Sequence, residues 1–237
     1  MTIAAGHGFT TLLGAAAVRR RAMTATRSMA GAAQARVPSW TLLATALLPT
    51  LLTTGWLVAG ALEPAPYDPV RQTVSVLAGQ GAAHRWIVTS TLYVVGLIYL
   101  IIAAAFRALE PLSRAGLLVS GATAISVASF PEPAHGTSTM HVLCTGIGAI
   151  ALAVWPAIVA RRRSPLRAAL GTPIAFTAAT ISLLLLVWTA IETRNGSALG
   201  LAERVSSSLQ TAWPFAVAVG LRHAQQQHEP QHNAVRD

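Results

Sequence analysis

The sequence contains no lysine and a single cysteine, and both shortages narrow what the protein can be. All 17 basic residues are arginine. Without lysine the chain cannot form the Schiff base by which proteins hold retinal or pyridoxal phosphate. The single cysteine, Cys144, excludes an internal disulfide, a cysteine-only metal cage and an iron–sulfur cluster. We therefore expect no cofactor and no resident metal, and we interpret Cys144 as a small packing residue.

Charged residues are scarce as well. They make up 11% of the chain, whereas hydrophobic residues make up 53%, and this balance is unlike that of a soluble domain. The formal net charge of +9 would suit a nucleic-acid partner. However, the arginines lie at the ends of apolar runs and do not alternate with aromatic residues, so we expect no binding of nucleic acid.

Six long apolar segments follow one another from residue 40 onward. A helix needs about 20 mostly apolar residues to cross the hydrocarbon core of a bilayer. The segments are residues 41–62, 86–106, 112–130, 140–160, 168–191 and 205–221. The sequence thus predicts an all-α integral membrane bundle of six transmembrane helices. We expect it to be a multi-pass protein of the plasma membrane, with membrane lipids as its partners.

The arginines also predict the orientation of the bundle. With both termini in the cytoplasm, thirteen arginines lie on the inner side and four on the outer side, namely Arg71, Arg85, Arg194 and Arg204. Arginine accumulates on the cytoplasmic side of membrane proteins. The last segment is the shortest and carries polar residues at 206–208 and 210. It is kept as a span because otherwise Arg222 and the tail would lie outside.

Two polar regions flank this membrane domain, which we place at residues 38–222. Residues 1–37 are rich in alanine, threonine and arginine and contain no acid. We interpret them either as a disordered basic arm resting on anionic headgroups or as an over-called start, with translation beginning at Met23 or Met29. Residues 223–237 are predicted to be a disordered polar tail.

Most of the polar side chains fall in the three predicted outer segments. The candidates for a functional site are Asp68, Arg71, Ser75, Glu132, His135, His141, Glu192, Glu203 and Arg204. Taken singly, each is explained as a solvated end of a span. Taken together, they predict a polar pocket that faces outward, covered by the first outer loop folding back over the bundle.

His141 and Arg204 are the most informative of these residues. His141 is predicted in the first turn of its helix, with Thr137, Ser138 or Thr139 as N-cap. There it could bond a loop carbonyl, accept a proton or bind a phosphate. Arg204 opens the last span, where the helix dipole disfavours a cation. We therefore expect it to pair with Asp68, Glu132, Glu192 or an anionic ligand.

Several short motifs resemble one known family. They are Tyr-Asp-Pro-x-x-x-Thr-x-Ser-x-Leu-Ala at 67–78, Arg-Trp opening the second span, Phe-Pro ending the third, His141 heading the fourth and Glu-Arg at 203–204. Their order and spacing over residues 38–222 resemble the bacterial six-span family called domain of unknown function 998. The resemblance implies the architecture, and that Ser75, His141 and the Glu-Arg pair belong to one region. It implies no activity.

Three functions remain open on the sequence. The first is a binding or transport-related protein that holds a lipid headgroup or a small anion between Arg71, Arg204 and the first turn of the fourth span. The second is a hydrolase of lipid esters or phosphoesters, in which His141 with Asp68, Glu132 or Glu203 activates water or Ser75. The third is a structural or accessory subunit without a site. Known six-to-seven-span lipid hydrolases use three histidines for zinc, and this chain has only His141 within a span.

Overall fold

All regular structure in the described residues is α-helical. The computed structural model describes residues 37–64, 67–161 and 171–233, and in these it has seven helices and no strand. They are α1 (Trp40–Leu62), α2 (Val74–Ala78), α3 (Arg85–Ala105), α4 (Pro111–Ser129), α5 (Thr139–Arg161), α6 (Thr172–Asn195) and α7 (Leu199–Asn233).

Proline and glycine set several of the helix boundaries. Pro111 begins α4 directly after Glu110, and Pro173 lies in the first turn of α6. Proline suits this place because it lacks the N–H that a first turn leaves unpaired. Gly196 ends α6 in the left-handed conformation, with φ at 70°, and donates its N–H to the Glu192 carbonyl.

The six long helices form a closed ring. In chain order α1 packs against α3, α3 against α4, α4 against α5, α5 against α6 and α6 against α7, and α7 returns to α1. Glycines permit some of these contacts, since a Cβ on Gly96 of α3 would lie 2.8 Å from the Gly121 carbonyl oxygen of α4. The short helix α2 contacts α1, α3 and α7 at one end of the ring.

Apolar side chains lie both inside and outside this ring. The buried ones include Leu48, Phe106 and Trp155, and the Trp155 indole nitrogen donates to the Ser113 carbonyl at 2.7 Å. Leu184 and Val187 of α6 are 63% and 55% exposed. Extended exposed apolar surface marks a membrane or interaction face, so the outside of the ring suits lipid.

Five helices are long and apolar enough to cross a membrane: α1, α3, α4, α5 and α6. They confirm the all-α class and the prediction of a multi-pass membrane protein. The sixth predicted span, 205–221, lies within α7, whose serines and Gln210 lower its hydropathy, and α7 is not among the five. Six spans and cytoplasmic termini therefore stay predictions. The predicted start of the fifth span at residue 168 lies outside the described residues.

Helix α7 extends beyond the predicted membrane domain. It continues to Asn233, although the sequence analysis expected a disordered tail from residue 223. Alanine and glutamine in this stretch are good helix formers, so the helix has a local reason to continue past Arg222. The basic arm, residues 1–36, and residues 234–237 lie outside the described residues.

Candidate functional site

A folded loop covers one end of the ring. It consists of residues 67–80, includes α2, and is called the covering loop below. Backbone hydrogen bonds attach it on two sides. The Leu201 N–H of α7 donates to the Val70 carbonyl at 2.9 Å, and the Gln80 N–H donates to the Glu132 carbonyl at 2.8 Å. The covering loop thus joins α7 to the segment between α4 and α5.

Arg204 holds the covering loop to α7. Its Nη1 donates to three carbonyl oxygens, those of Pro69 at 2.7 Å, Gln72 at 2.8 Å and Gly200 at 2.9 Å. Its Nη2 donates to the Tyr67 hydroxyl. These partners differ from the acidic ones expected from the sequence. A guanidinium presents its donors in one plane and can bond several acceptors at once. Arg204 therefore holds the backbone of the covering loop against α7.

Tyr67 accepts the hydrogen bond from Arg204 Nη2. Burial raises the pKa of its hydroxyl, and the neighbouring Arg204 guanidinium opposes part of that rise. The phenol therefore stays protonated at neutral pH and accepts the hydrogen bond from Arg204 as a neutral group. The sequence analysis did not select Tyr67, because its partner lies 137 residues away in the chain.

His141 is buried at the start of α5 and its ring is held on both sides. Ser138 accepts its backbone N–H at 3.3 Å, which agrees with the expected cap. Its Nδ1 lies 2.9 Å from the Phe130 carbonyl oxygen, and its Nε2 lies 2.9 Å from the Ser75 hydroxyl. A carbonyl cannot donate, so Nδ1 carries a proton. In the neutral ring Nε2 then accepts the proton of Ser75.

Two carboxylates flank the Ser75–His141 pair. Glu203 accepts the Val74 N–H at 2.7 Å and lies beside the Ser75 hydroxyl, whose single proton is directed to His141. Glu132 lies 3.9 Å from His141 Nε2 through one oxygen, and its other oxygen accepts the Ser138 N–H at 2.8 Å. Ser75, His141, Glu132 and Glu203 are called the Ser75 cluster below. All four were selected from the sequence.

The remaining acidic and basic candidates lie apart from the Ser75 cluster. Arg71 is exposed and makes a local ion pair with Asp68 at 3.7 Å. His135 is exposed in the loop between α4 and α5. Glu192 orders the turn between α6 and α7, where it accepts the Ala198 N–H at 2.9 Å. The predicted anion site between Arg71, Arg204 and α5 is therefore not assembled in this structure.

A cavity of about 160 Å³ lies inside the ring beneath the covering loop. Ser75 and Glu203 form part of its wall, so the Ser75 cluster borders it. The other polar residues of the wall are Tyr99, Ser120, Thr123, Cys144, Thr145, Ser207, Gln210 and Thr211. From Glu203 to Thr211 the wall follows α7 for about 12 Å at 1.5 Å per residue. The cavity thus reaches from the covered end well into the bundle.

Two hydroxyls in the cavity wall have no hydrogen-bond partner among the described residues. They are the Tyr99 and Thr145 hydroxyls. The Tyr99 side chain is 1% exposed. Both oxygen atoms are fully buried, so they are closed to molecules in the cavity as well as to solvent, and they stay unpaired in the packing of the ring. No group of three His, Cys, Asp or Glu residues in the described ranges could hold a metal ion.

Comparison with known protein families identifies the family of this chain. A family model described as a protein of unknown function (DUF998) matches residues 46–220. The chain belongs to this family. The matched residues contain the covering loop, the Ser75 cluster, the cavity wall and nearly all of the helix ring. No curated protein and no solved structure matches the chain, so the DUF998 match gives the family without an activity.

Sequence reasoning missed most of the cavity wall of this DUF998 protein. Ser207, Gln210 and Thr211 recur at helical spacing and bring one polar face of α7 to the cavity, and this signal was present in the sequence. Tyr99 gave no such signal, because a single tyrosine in an apolar span is typical of ordinary packing. Thr145 gave none either, since threonine in a helix usually bonds the preceding turn.

Proposed function

We propose that this DUF998 protein binds a lipid headgroup or a small polar molecule in the cavity beneath the covering loop. It does so as a six-span protein of the plasma membrane with both termini in the cytoplasm. The arginine distribution supports that orientation. The closed ring supports the sixth span, because α7 fills the gap between α6 and α1 and is as long as its neighbours.

The observation that carries this proposal is the cavity itself. It measures about 160 Å³ beneath the covering loop, and the Ser75 cluster borders it. Glu203 and Gln210 place a carboxyl group and an amide in a wall that is otherwise mostly apolar. An apolar space with a few polar groups at fixed points is the usual form of a small-molecule site.

The residues of the cavity wall favour a lipid headgroup or a small polar molecule over a small anion, which the sequence allowed as an alternative. Glu203 is the acidic residue of the wall, and no arginine lines it. The nearest guanidinium, that of Arg204, is engaged with carbonyl oxygens of the covering loop. An anion entering this cavity would thus meet a carboxylate without a facing cation.

Filling the cavity tests the proposal. Ala149 lines the cavity, whereas Ile150 beside it on α5 is 57% exposed to the membrane side. We expect native mass spectrometry of the purified wild-type protein to show a bound molecule at about one per chain. Ala149→Phe should lose that mass, because the new ring occupies the space, and Ile150→Phe should retain it.

Equal retention in the two variants would place the bound molecule outside the cavity and reject the proposal. A wild-type chain without bound mass, in protein extracted with its native lipids, would favour the accessory-subunit alternative. Thermal unfolding of both variants checks that neither result comes from loss of the fold.

A second candidate function is hydrolysis, and the Ser75–His141 hydrogen bond favours it. At 2.9 Å, His141 Nε2 is placed to take the Ser75 proton as Oγ attacks an ester carbonyl, and Phe130 holds the ring through Nδ1. An adjacent base is the usual means of activating a serine. The imidazolium, its charge stabilised by Glu132, would then give the proton to the alcohol that leaves as the ester C–O bond breaks. Water, deprotonated by His141, would release the acyl group from Ser75 as the acid, and the serine would recover its proton.

A fluorophosphonate probe separates this function from simple binding. An activated serine would be labelled at Ser75. The labelling should vanish in Ser75→Ala and fall in His141→Gln, and it should persist in the control Ser129→Ala. No labelling of the folded wild-type protein would reject the hydrolase and leave the binding proposal standing.

A further inference from the structure

We propose that the ligand of this cavity carries an ammonium group, with Glu203 as its counter-ion. The inference rests on the proposed binding function and names the chemistry of its ligand. A lipid headgroup of the ethanolamine type and a free organic amine share this chemistry.

Glu203 is the acidic residue of the cavity wall. The Glu203 carboxylate lines a cavity within a helix ring of apolar exterior, and it makes no ion pair among the described residues. Burial raises the pKa of the Glu203 carboxyl, and the Val74 N–H and the nearby charge of Arg204 oppose part of that rise. Ionisable groups inside membrane proteins are costly and mark ligand or ion sites. A cation entering the cavity would compensate this charge.

The cavity wall also contains aromatic rings. Trp56 and Tyr99 both line the cavity and are 6% and 1% exposed. Trp56 belongs to the same apolar cluster as Val74, whose N–H binds Glu203, so indole and carboxylate lie at the covered end. Aromatic rings attract organic cations through their π faces, most strongly where water is excluded. A carboxylate and an aromatic ring together would bind an ammonium group more tightly than a neutral alcohol.

The volume of the cavity limits the size of its ligand. A cavity of roughly 150 Å³ accepts a molecule as large as benzene, and this one measures about 160 Å³. It therefore admits a headgroup or a small amine but not the acyl chains of a lipid.

A matched series of probes tests the charge. Benzylammonium, benzyl alcohol and benzoate have similar size and differ in charge. Titration calorimetry on the full chain in phosphatidylglycerol nanodiscs should show benzylammonium binding at least about ten times more tightly than benzyl alcohol, a difference of about 1.4 kcal/mol. Benzoate should bind least. Glu203→Gln should bring benzylammonium and benzyl alcohol to similar affinities, because the amide keeps an acceptor for Val74 but has no charge.

Glu192→Gln is the matched control, since Glu192 lies outside the cavity wall and should leave the preference intact. If Glu203→Gln does not fold, Trp56→Leu replaces it. That variant should weaken benzylammonium by roughly threefold to tenfold and leave benzyl alcohol unchanged, as expected for loss of a cation–π contact.

A second experiment, with two lipids, distinguishes the two sources of the ammonium group. Native mass spectrometry after reconstitution in equal phosphatidylethanolamine and phosphatidylglycerol should show retained phosphatidylethanolamine if the ligand is a headgroup. Preference for benzylammonium without lipid preference indicates a free amine.

Equal affinities for benzylammonium and benzyl alcohol would overturn the ammonium inference and leave the binding function standing. Binding of none of the three probes, with no preference between the lipids, would overturn it as well. The proposed function fails separately, when Ala149→Phe and Ile150→Phe retain the same bound mass.

Discussion

At the scale of the residue, Arg204 shows how strongly one side chain can order a loop. It donates to the carbonyls of Pro69, Gln72 and Gly200 and to the Tyr67 hydroxyl. We predict that Arg204→Gln lowers the free energy of unfolding by about 3 kcal/mol, since hydrogen bonds from a charged donor are worth about 1.5–3 kcal/mol each. Chemical unfolding in detergent measures the loss.

Arg204→Lys should retain only part of this stability. A single ammonium group cannot donate to all the acceptors that the planar guanidinium of Arg204 reaches together. Arg71→Gln is the control. Arg71 is exposed, so its replacement should change the free energy by no more than about 0.5 kcal/mol. A similar loss in both glutamine variants would contradict the role given to Arg204.

The Ser75–His141 contact gives a second prediction at the residue scale. In Ser75→Ala the buried Nε2 of His141 loses its partner, which should cost about 1–3 kcal/mol of unfolding free energy. Once His141 is replaced by glutamine, the same serine change should cost less. We expect a double-mutant cycle to give a coupling energy of about 1 kcal/mol or more. Purely additive losses would show that the hydrogen bond contributes nothing.

At the scale of the element, the covering loop depends on a glycine of α7. A Cβ on Gly200 would lie 2.1 Å from the Gln72 carbonyl oxygen and 2.6 Å from that of Pro69. Gly200→Ala must therefore push the loop away from the helix, and we predict a loss of about 2 kcal/mol or more in unfolding free energy. We also expect faster proteolysis within residues 67–80.

Gly146 of α5 is a suitable control, because a Cβ there meets nothing within 4 Å. Gly146→Ala should be neutral or should stabilise the protein by up to about 1 kcal/mol, as expected for alanine replacing glycine in a helix. Unchanged proteolysis of the covering loop in Gly200→Ala would contradict the close approach.

Helix α7 also shows how a helix of the ring can be less apolar than its neighbours. Its first half carries Ser207, Gln210 and Thr211, and these side chains line the cavity. A helix that turns such groups inward needs less apolar surface than one surrounded by lipid. Because its polar side chains face the cavity, α7 can complete the ring without being among the five apolar helices.

At the scale of the whole molecule, the orientation can be tested by labelling. In a Cys144→Ala background, we predict that Ala83→Cys reacts with an impermeant maleimide on intact cells and that Ala108→Cys reacts only after permeabilisation. The physical reason is the excess of arginine on the side of residue 108. The reverse pattern would invert the proposed orientation.

A reporter at the C-terminus tests the sixth span in the same cells. A fluorescent protein that folds in the cytoplasm should be active there, and alkaline phosphatase, which needs the outside, should be inactive. Active phosphatase would place the tail outside and reduce the bundle to five spans.

Much of the candidate site could be found in the sequence, but its connections could not. Ser75, Glu132, His141 and Glu203 stood out as polar residues at span ends, and they do meet. Arg71 and His135 stood out for the same reason and lie apart from them. Span ends share a depth in the membrane, but depth does not specify which ends are neighbours around a ring.

The sequence by itself determined the class of the protein and its local detail. The length and apolarity of its segments determine membrane helices, and the residues before His141 determine where α5 begins, because these causes act within about one turn. The tertiary structure decided the partners. Ser75 meets His141 across 66 residues, and Arg204 meets the Gln72 carbonyl across 132. Such pairs depend on how the ring closes, and no local pattern carries that information.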